Sequence, residues 1–241
     1  MLKLNLADLC RVSGLFFAVV SGVVPAVVHG AAGVSELPLI EVPATAATTD
    51  TIAVIVSGDG GWTKIDRSLT RALTARGISV VGMNSLRYFW HARTPDEAAD
   101  ALERILRHYL SAWQKQQVLL IGYSRGADVM PFMASRLPDD LRARVDLVAL
   151  LGPATSISFS FHITDWLGVK RRDAIPTLPE IGKLAGLKIL CVYGARERDS
   201  VCPLLPEGLA ILEEMPGGHH FGGDYQRVAE RILAAAGRNR S

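Results

Sequence analysis

The sequence predicts an α/β fold with a mostly parallel central sheet and helices on both faces. Beyond residue 50, short apolar runs alternate with segments whose apolar residues recur at helical spacing. This alternation is typical of a parallel sheet built from strand–helix–strand units. With 241 residues, 49% of them hydrophobic, the chain is long enough for one domain with a sizeable core. We therefore expect a single domain over residues 31–241.

Local signals set the individual elements in chain order. Gly77 is expected to end the first helix. Thr94 has the character of an N-cap, with Pro95 at the first helical position and Glu97 completing a capping box, so a helix should run from there to about Lys115. The predicted strands are an edge strand around Leu39–Val42, then Ile52–Val56, Ile78–Met83, Val118–Ile121, Val145–Leu151, Lys188–Tyr193 and Leu209–Met215; the other predicted helices are Lys64–Arg76, Ala127–Arg136 and Tyr225–Ala236.

The segment Gly122–Gly126 (Gly-Tyr-Ser-Arg-Gly) lies between a predicted strand and a predicted helix. This context is the one that a nucleophile elbow needs, because the serine must stand on a sharp turn where a histidine can take its proton. The two glycines leave room where strand and helix pack closely, and Ser124 is expected to have a strained backbone. The motif in this context predicts an α/β-hydrolase fold with Ser124 as nucleophile.

In that fold an acid and a histidine follow the last two core strands. Asp199 is the preferred acid because of its spacing to Pro203, and Glu197 is the competing candidate. His219 and His220 lie in a glycine-rich turn after the last predicted strand, and one of them is expected to be the base. Loop position favours His219, with His220 left open.

A glycine-rich loop, Ser57–Trp62, follows an earlier predicted strand and precedes a helix. It is expected to supply one oxyanion donor, from the backbone N–H of Asp59 or Gly60, and Arg125 should supply the other. A phosphate-binding loop is disfavoured because no Lys-Ser or Lys-Thr pair follows in the required register.

Residues 1–30 have the composition of a secretory signal peptide. Lys3 and Arg11 flank its start, the stretch 12–28 is almost wholly apolar, and small or polar residues follow, which favours cleavage near Gly30 or Ala32 over a permanent anchor. We therefore expect a periplasmic protein.

Two cysteines, Cys191 and Cys202, remain after the predicted leader. In an oxidising compartment they are expected to pair, the alternative being a buried Cys191 and a free Cys202. They do not make a zinc site, and we expect neither a metal nor a cofactor. The formal net charge of +2 gives no reason to expect direct nucleic-acid binding.

Residues 154–184 interrupt the alternation. They contain Phe159, Phe161 and Trp166 beside a basic run at 170–172, where hydrolases insert a lid. A small lid-like insertion and an ordinary surface excursion are the two interpretations.

Five separated blocks resemble the VirJ/AcvB virulence-protein family of periplasmic hydrolases, in its short form, over about residues 45–235. The blocks are Gly58–Trp62, Leu86–Trp90, Gly122–Asp128, Asp199–Pro203 and Gly217–Phe221. The resemblance implies a role in virulence and type IV secretion, with secretion components as partners. It also implies hydrolysis of the aminoacylated phospholipid lysyl-phosphatidylglycerol at the membrane surface.

For such a substrate Asp59 and Asp128 are expected to pair with cationic amines, unless they cap a turn or a helix. Arg125 is expected to meet the lipid phosphate. A carboxylesterase or thioesterase of other specificity is the alternative within enzymes. A secretion chaperone or adaptor on a hydrolase scaffold is the alternative outside them.

Overall fold

The computed structural model describes residues 33–159 and 174–237. The leader predicted over residues 1–30 and the basic run at 170–172 lie outside these ranges. In chain order the strands are β1 (Leu39–Val42), β2 (Thr51–Val56), β3 (Ser79–Met83), β4 (Gln117–Tyr123), β5 (Val145–Leu151), β6 (Ser156–Ile157), β7 (Ile175–Pro176), β8 (Ile189–Gly194) and β9 (Ile211–Met215). The helices are α1 (Lys64–Thr74), α2 (Ser85–Tyr88), α3 (Pro95–Ala112), α4 (Arg125–Ala134), α5 (Asp139–Arg142), α6 (Leu178–Gly182) and α7 (Tyr225–Ala236).

Seven of these strands form one sheet in the order β1-β3-β2-β4-β5-β8-β9. The edge strand β1 is antiparallel to β3, and every other neighbouring pair is parallel. The parallel strands therefore end at one edge of the sheet, and the segments that follow β2, β4, β5, β8 and β9 meet there. Ligand sites in open parallel sheets form at this edge.

Both faces of the sheet are covered, as the continuous apolar runs predict. Along β4, Leu119 and Ile121 pack on one face with α1 and α7. Val118 and Leu120 pack on the other face with α3 and α4. This alternation fixes the register of β4 and so the point at which its last residue meets the elbow.

The start of α3 confirms the predicted capping box. The side chain of Thr94 accepts a hydrogen bond from the N–H of Glu97 at 3.1 Å, and the carboxylate of Glu97 accepts one from the N–H of Thr94 at 2.7 Å. These two bonds satisfy donors that have no partner within the helix.

Other boundaries differ from the sequence prediction. The helix after the elbow begins at Arg125 rather than Ala127, and the last strand begins at Ile211 rather than Leu209. The short helices α2 and α5 were not predicted, because a single helical turn leaves no periodic pattern to detect. The ends of the predicted insertion are held together by the pairing of β6 with β7. None of the helices in the described ranges combines the length and the apolar character needed to cross a membrane.

Candidate active site

Ser124 stands between the end of β4 and the start of α4 in a sterically unfavourable conformation, with φ 53° and ψ −122°. A side chain on Gly122 would collide with the backbone of Gly126, and one on Gly126 would collide with the carbonyl of Val56. Only glycine fits at these two positions. The predicted nucleophile elbow is therefore present, with its strain confined to one serine.

His219 lies in the loop after β9, and its Nε2 is 2.8 Å from the Oγ of Ser124. Its Nδ1 is 2.5 Å from Oε1 of Glu197. Because a carboxylate only accepts, Nδ1 carries the proton, and Nε2 is left to accept the serine proton. The hydrogen bond to Glu197 raises the pKa of His219, the charges of Glu197, Asp128 and Asp199 act in the same direction, and burial opposes them.

The acid beside His219 is Glu197, not the preferred candidate Asp199. Glu197 lies in a tight turn, with its N–H bonded to the carbonyl of Gly194 at 2.8 Å. Its Oε2 accepts from the N–H of Gly194 at 3.1 Å, and its side chain is only 5% exposed. The longer glutamate side chain thus folds back over the turn and reaches the imidazole.

Asp199 is exposed two residues further on. The chain there pairs with the segment after β5, since the carbonyl of Asp199 accepts from Thr155 and Ser200 bridges Ala154. This pairing holds the backbone of Asp199 and Ser200 against that segment. Spacing to a proline therefore selected the wrong carboxylate.

Gly152, at the end of β5, is part of the site although the sequence analysis did not single it out. Its φ is +65°, and a Cβ there would lie 2.9 Å from Cε1 of His219, 3.0 Å from its Nδ1 and 3.3 Å from Oε1 of Glu197. The histidine and its acid thus pack directly against this glycine. The Gly-Pro pair after a buried strand was the available signal, but it reads as an ordinary turn.

His220 has a different partner from its neighbour. Its Nδ1 is 2.7 Å from the hydroxyl of Tyr123, the residue before the nucleophile. The ring of Tyr123 also stacks on His219, with centroids 5.5 Å apart and an interplanar angle of 27°. Tyr123 therefore contacts both histidines, and only His219 reaches Ser124.

The expected oxyanion loop lies against the elbow. A Cβ on Gly58 would be 3.2 Å from both Cβ of Ser124 and the ring of Tyr123. The N–H of Gly61 bonds to the carbonyl of Gly58 at 3.0 Å, so Asp59 and Gly60 form the tip of a tight turn. Arg125 opens α4, where backbone N–H groups point out of the helix. The loop and the start of α4 thus both lie next to Ser124.

Two side chains of this region differ from their expected roles. Nε of Arg125 bonds to Oδ1 of Asp59, and Nη1 of Arg125 donates to the carbonyl of Ser158 at 2.8 Å. The side chain of Arg125 is 5% exposed. Arg125 is thus buried in an ion pair rather than presented to a lipid phosphate. Its partner Asp59 is bonded through Oδ1 and keeps 38% of its side chain exposed.

Asp128 is the other predicted recognition residue. It lies in the first turn of α4, is 8% exposed, and its Oδ1 accepts from the N–H of Ala154 at 2.6 Å. Burial raises its pKa to about 7, and the charge of Asp59 adds to this, against the Ala154 hydrogen bond and the charges of Arg125 and His219. Asp128 is therefore an uncommonly basic carboxyl group beside the elbow.

Cys191 in β8 and Cys202 form a disulfide, which confirms the favoured pairing. The bond closes the segment that carries Glu197, and both cysteines are fully buried. Among the described residues no group of three or more His, Cys, Asp or Glu side chains is arranged to hold a metal ion.

The fold and the elbow place this chain in the class of α/β-hydrolase-fold proteins. Within that class, residues 50–240 match the family model described as bacterial virulence protein (VirJ). The chain therefore belongs to the VirJ family. A comparison with curated proteins found no match.

Solved structures similar to this chain share the fold at low identity. MenH from S. aureus has a TM-score of 0.60 and 16% identity, covering 82% of this chain and 97% of that one. Est1E from Butyrivibrio proteoclasticus has a TM-score of 0.56 and 13% identity, covering 83% and 93%. XC6422 from Xanthomonas campestris, described as an a/b serine hydrolase without lid, has a TM-score of 0.53 and 17% identity, covering 82% and 85%. At these identities the likeness concerns the fold alone.

Proposed function

We propose that this protein is a serine ester hydrolase whose triad is Ser124, His219 and Glu197. The hydrogen-bonded chain from the Oγ of Ser124 through His219 to the carboxylate of Glu197 carries the proposal. The triad residues Ser124, Glu197 and His219 lie in the segments after three different strands, and each side chain has the chemical group that its role needs.

In the proposed reaction His219 removes the proton from Ser124 as Oγ attacks the ester carbonyl. The backbone N–H of Arg125, with that of Asp59 or Gly60, binds the oxyanion. His219 then returns the proton to the leaving alkoxide, which departs as an alcohol and leaves the acyl group on Ser124. A water molecule, deprotonated by His219, attacks this acyl-enzyme, releasing the acid and restoring the serine. Glu197 holds the imidazole in the required tautomer and stabilises its positive charge.

The proposed substrate is an aminoacylated phospholipid such as lysyl-phosphatidylglycerol. Membership of the VirJ family supports it, together with the resemblance of the sequence blocks. The reaction would release lysine and leave phosphatidylglycerol in the membrane. A role in virulence and type IV secretion is part of the same proposal.

The proposed location is the periplasm. Two observations support it: the leader-like composition of residues 1–30 and the disulfide between Cys191 and Cys202. Disulfides of this kind persist in oxidising compartments and are rare in the cytosol.

The test is hydrolysis of lysyl-phosphatidylglycerol in vesicles by the purified protein, with released lysine measured by mass spectrometry. Wild type should release lysine. Ser124→Ala should lose about a millionfold in rate, because a triad acts as a unit. Ser111→Ala is the matched control, since Ser111 is exposed near the end of α3, at the opposite edge of the sheet.

Two results would overturn the proposal. A folded Ser124→Ala protein that stays within about tenfold of wild type would remove the serine mechanism. A wild type that cleaves a fatty-acyl ester of the same lipid as fast as the lysyl ester would replace the substrate with that of a general carboxylesterase or thioesterase.

A further inference from the structure

The first residue of α2 is hydrogen-bonded to the loop that contains the proposed oxyanion donors. The Oγ of Ser85 donates to the carbonyl of Gly58 at 2.7 Å, and the N–H of Ser85 donates to the Oγ of Ser57 at 3.0 Å. Ser57 and Ser85 are both fully buried. These two hydroxyl groups therefore join the segment after β2 to the segment after β3 in the interior of the protein.

The other end of the turn 58–61 also contacts the start of α2. The side chain of Asn84, the N-cap of α2, accepts a hydrogen bond from the N–H of Arg87 at 3.1 Å. A Cβ on Gly61 would lie 3.1 Å from Oδ1 of Asn84 and 3.2 Å from its Nδ2. Residues 84 and 85 thus contact both ends of the turn.

The hydrogen bonds to Gly58 also determine the direction of the next N–H. The carbonyl of Gly58 accepts from Ser85 and from the N–H of Gly61, the latter at 3.0 Å. A trans peptide group is planar, with its C=O and N–H on opposite sides, so the N–H of Asp59 points away from Ser85. Among the described residues this N–H has no acceptor. The N–H of Gly60 belongs to the next peptide, whose carbonyl accepts no hydrogen bond from a described residue.

The glycines of this turn are the reason that the peptide needs to be held. Gly58, Gly60 and Gly61 have no side chain to restrict the backbone. If the peptide after Gly58 rotated, it would present its carbonyl oxygen where an N–H is needed, and that oxygen would repel a developing oxyanion. A Cβ on Gly58 would lie 3.2 Å from Cβ of Ser124, so this peptide is next to the nucleophile.

We propose that Ser85 is a positioning residue for ester hydrolysis: its hydroxyl fixes the peptide between Gly58 and Asp59 so that the N–H of Asp59 binds the oxyanion. The inference rests on the proposed hydrolysis at Ser124, and it selects Asp59 over Gly60 as the donor in this loop. The short helix α2 then has the function of holding Ser85 at the carbonyl of Gly58.

The first experiment measures kcat and KM of Ser85→Ala for a soluble ester, p-nitrophenyl acetate. We expect kcat to fall about ten- to a hundredfold, which is less than the loss of about a hundred- to a thousandfold expected when a donor is absent. KM should stay within about twofold of wild type, because the oxyanion forms only in the transition state.

Ser79→Ala is the matched control. Ser79 is also buried, it lies at the other end of β3, and its Oγ accepts from the N–H of Ala44 at 3.0 Å. The substitution therefore removes a buried, hydrogen-bonded hydroxyl group at the opposite edge of the sheet from Ser124. Thermal unfolding should show a loss of stability in both variants, whereas Ser79→Ala should keep the wild-type kcat.

The second experiment removes the N–H of Asp59 itself. Proline has no N–H and is favoured at the second position of a turn such as 58–61, where Asp59 does not have a positive φ. Asp59→Ala is the reference, because it lacks the carboxylate and keeps the N–H. We expect kcat of Asp59→Pro to be about a hundred- to a thousandfold below that of Asp59→Ala. Adding Ser85→Ala to Asp59→Pro should lower kcat by less than about threefold more, because the donor that Ser85 positions is already absent.

The outcomes separate this inference from the proposed function. If wild type hydrolyses neither p-nitrophenyl acetate nor lysyl-phosphatidylglycerol, the hydrolase proposal fails and the inference fails with it. If Ser85→Ala keeps the wild-type kcat, or Asp59→Pro is as fast as Asp59→Ala, or the losses in the double variant are additive, the role of Ser85 is wrong and the hydrolase stands. Should Asp59→Pro fail to fold, the comparison of Ser85→Ala with Ser79→Ala decides the point.

Discussion

The elbow half of the site, residues 122–126 with the loop 58–62, is built by backbone segments in close contact. The acid–base half, residues 194–199 with 217–221, is instead built by side chains that meet across three neighbouring strands, β5, β8 and β9. Glycines at 122 and 126 fix the first half locally. In the second half His219 is positioned by Glu197, Gly152 and Tyr123, which come from three separate parts of the chain.

This difference explains why Ser124 could be predicted from the sequence and the acid Glu197 could not. A local backbone requirement leaves a pattern of fixed spacing, such as Gly-x-Ser-x-Gly. A contact across strands leaves none, and Glu197 and Asp199 lie only two residues apart in the same loop. Substitutions in the acid–base half therefore test the assignment most severely.

The largest effect is expected from separating the two histidines. His219→Ala should reduce ester hydrolysis about a millionfold, because the base is lost from a triad that acts as a unit. His220→Ala should stay within about tenfold of wild type, because its side chain bonds to the hydroxyl of Tyr123, whereas that of His219 bonds to Ser124. Turnover of an ester by the two purified variants measures this. A His220→Ala protein as inactive as His219→Ala would break the assignment of the base.

The next largest loss of turnover is expected when the carboxylate beside His219 is replaced by an amide. Glu197→Gln should reduce turnover about ten-thousandfold, as expected when the group that fixes the histidine tautomer is neutralised. Asp199→Asn should change it by no more than about fivefold, because a solvent-exposed charge contributes at most about 1 kcal/mol. The reverse order of the two effects would restore Asp199 as the acid.

Gly152→Ala tests the packing beneath the histidine. The added methyl group would push against His219 and Glu197, and a displacement of about 1 Å costs about a hundredfold in turnover. Gly186→Ala is the matched control, since it has a φ of +89° and nothing within 4 Å of the added Cβ. Both variants should lose about 1–2 kcal/mol in free energy of unfolding from backbone strain. Equal turnover in the two variants would show that Gly152 does not position the pair.

Tyr123→Phe should have the smallest effect. It keeps the ring that stacks on His219 and removes only the hydroxyl bonded to His220, so turnover should fall about two- to tenfold. A double-mutant cycle with His220→Ala isolates this bond. The double variant should be no slower than the slower single variant, and strictly additive losses would contradict the contact.

The sequence predicted the seven strands of the main sheet along the chain, the capping box at Thr94, the elbow and the disulfide between Cys191 and Cys202. Each depends on short-range patterns or on the few cysteines present. It failed at Asp199 and overlooked Gly152, and it assigned Arg125 and Asp59 to a ligand although they bind each other. Those features depend on which side chains come into contact when the segments after β2, β4, β5, β8 and β9 are brought together. Hydrophobic periodicity gives no information about such contacts.

The most direct test of the central claim is covalent labelling by a fluorophosphonate, which reacts with a serine only when a neighbouring base activates it. After digestion, mass spectrometry should find a single adduct, on Ser124. The labelling rate should fall strongly in His219→Ala and Glu197→Gln and stay near wild type in His220→Ala and Asp199→Asn. An adduct on a different residue, or labelling of Ser124 that is indifferent to His219 and Glu197, would contradict the account.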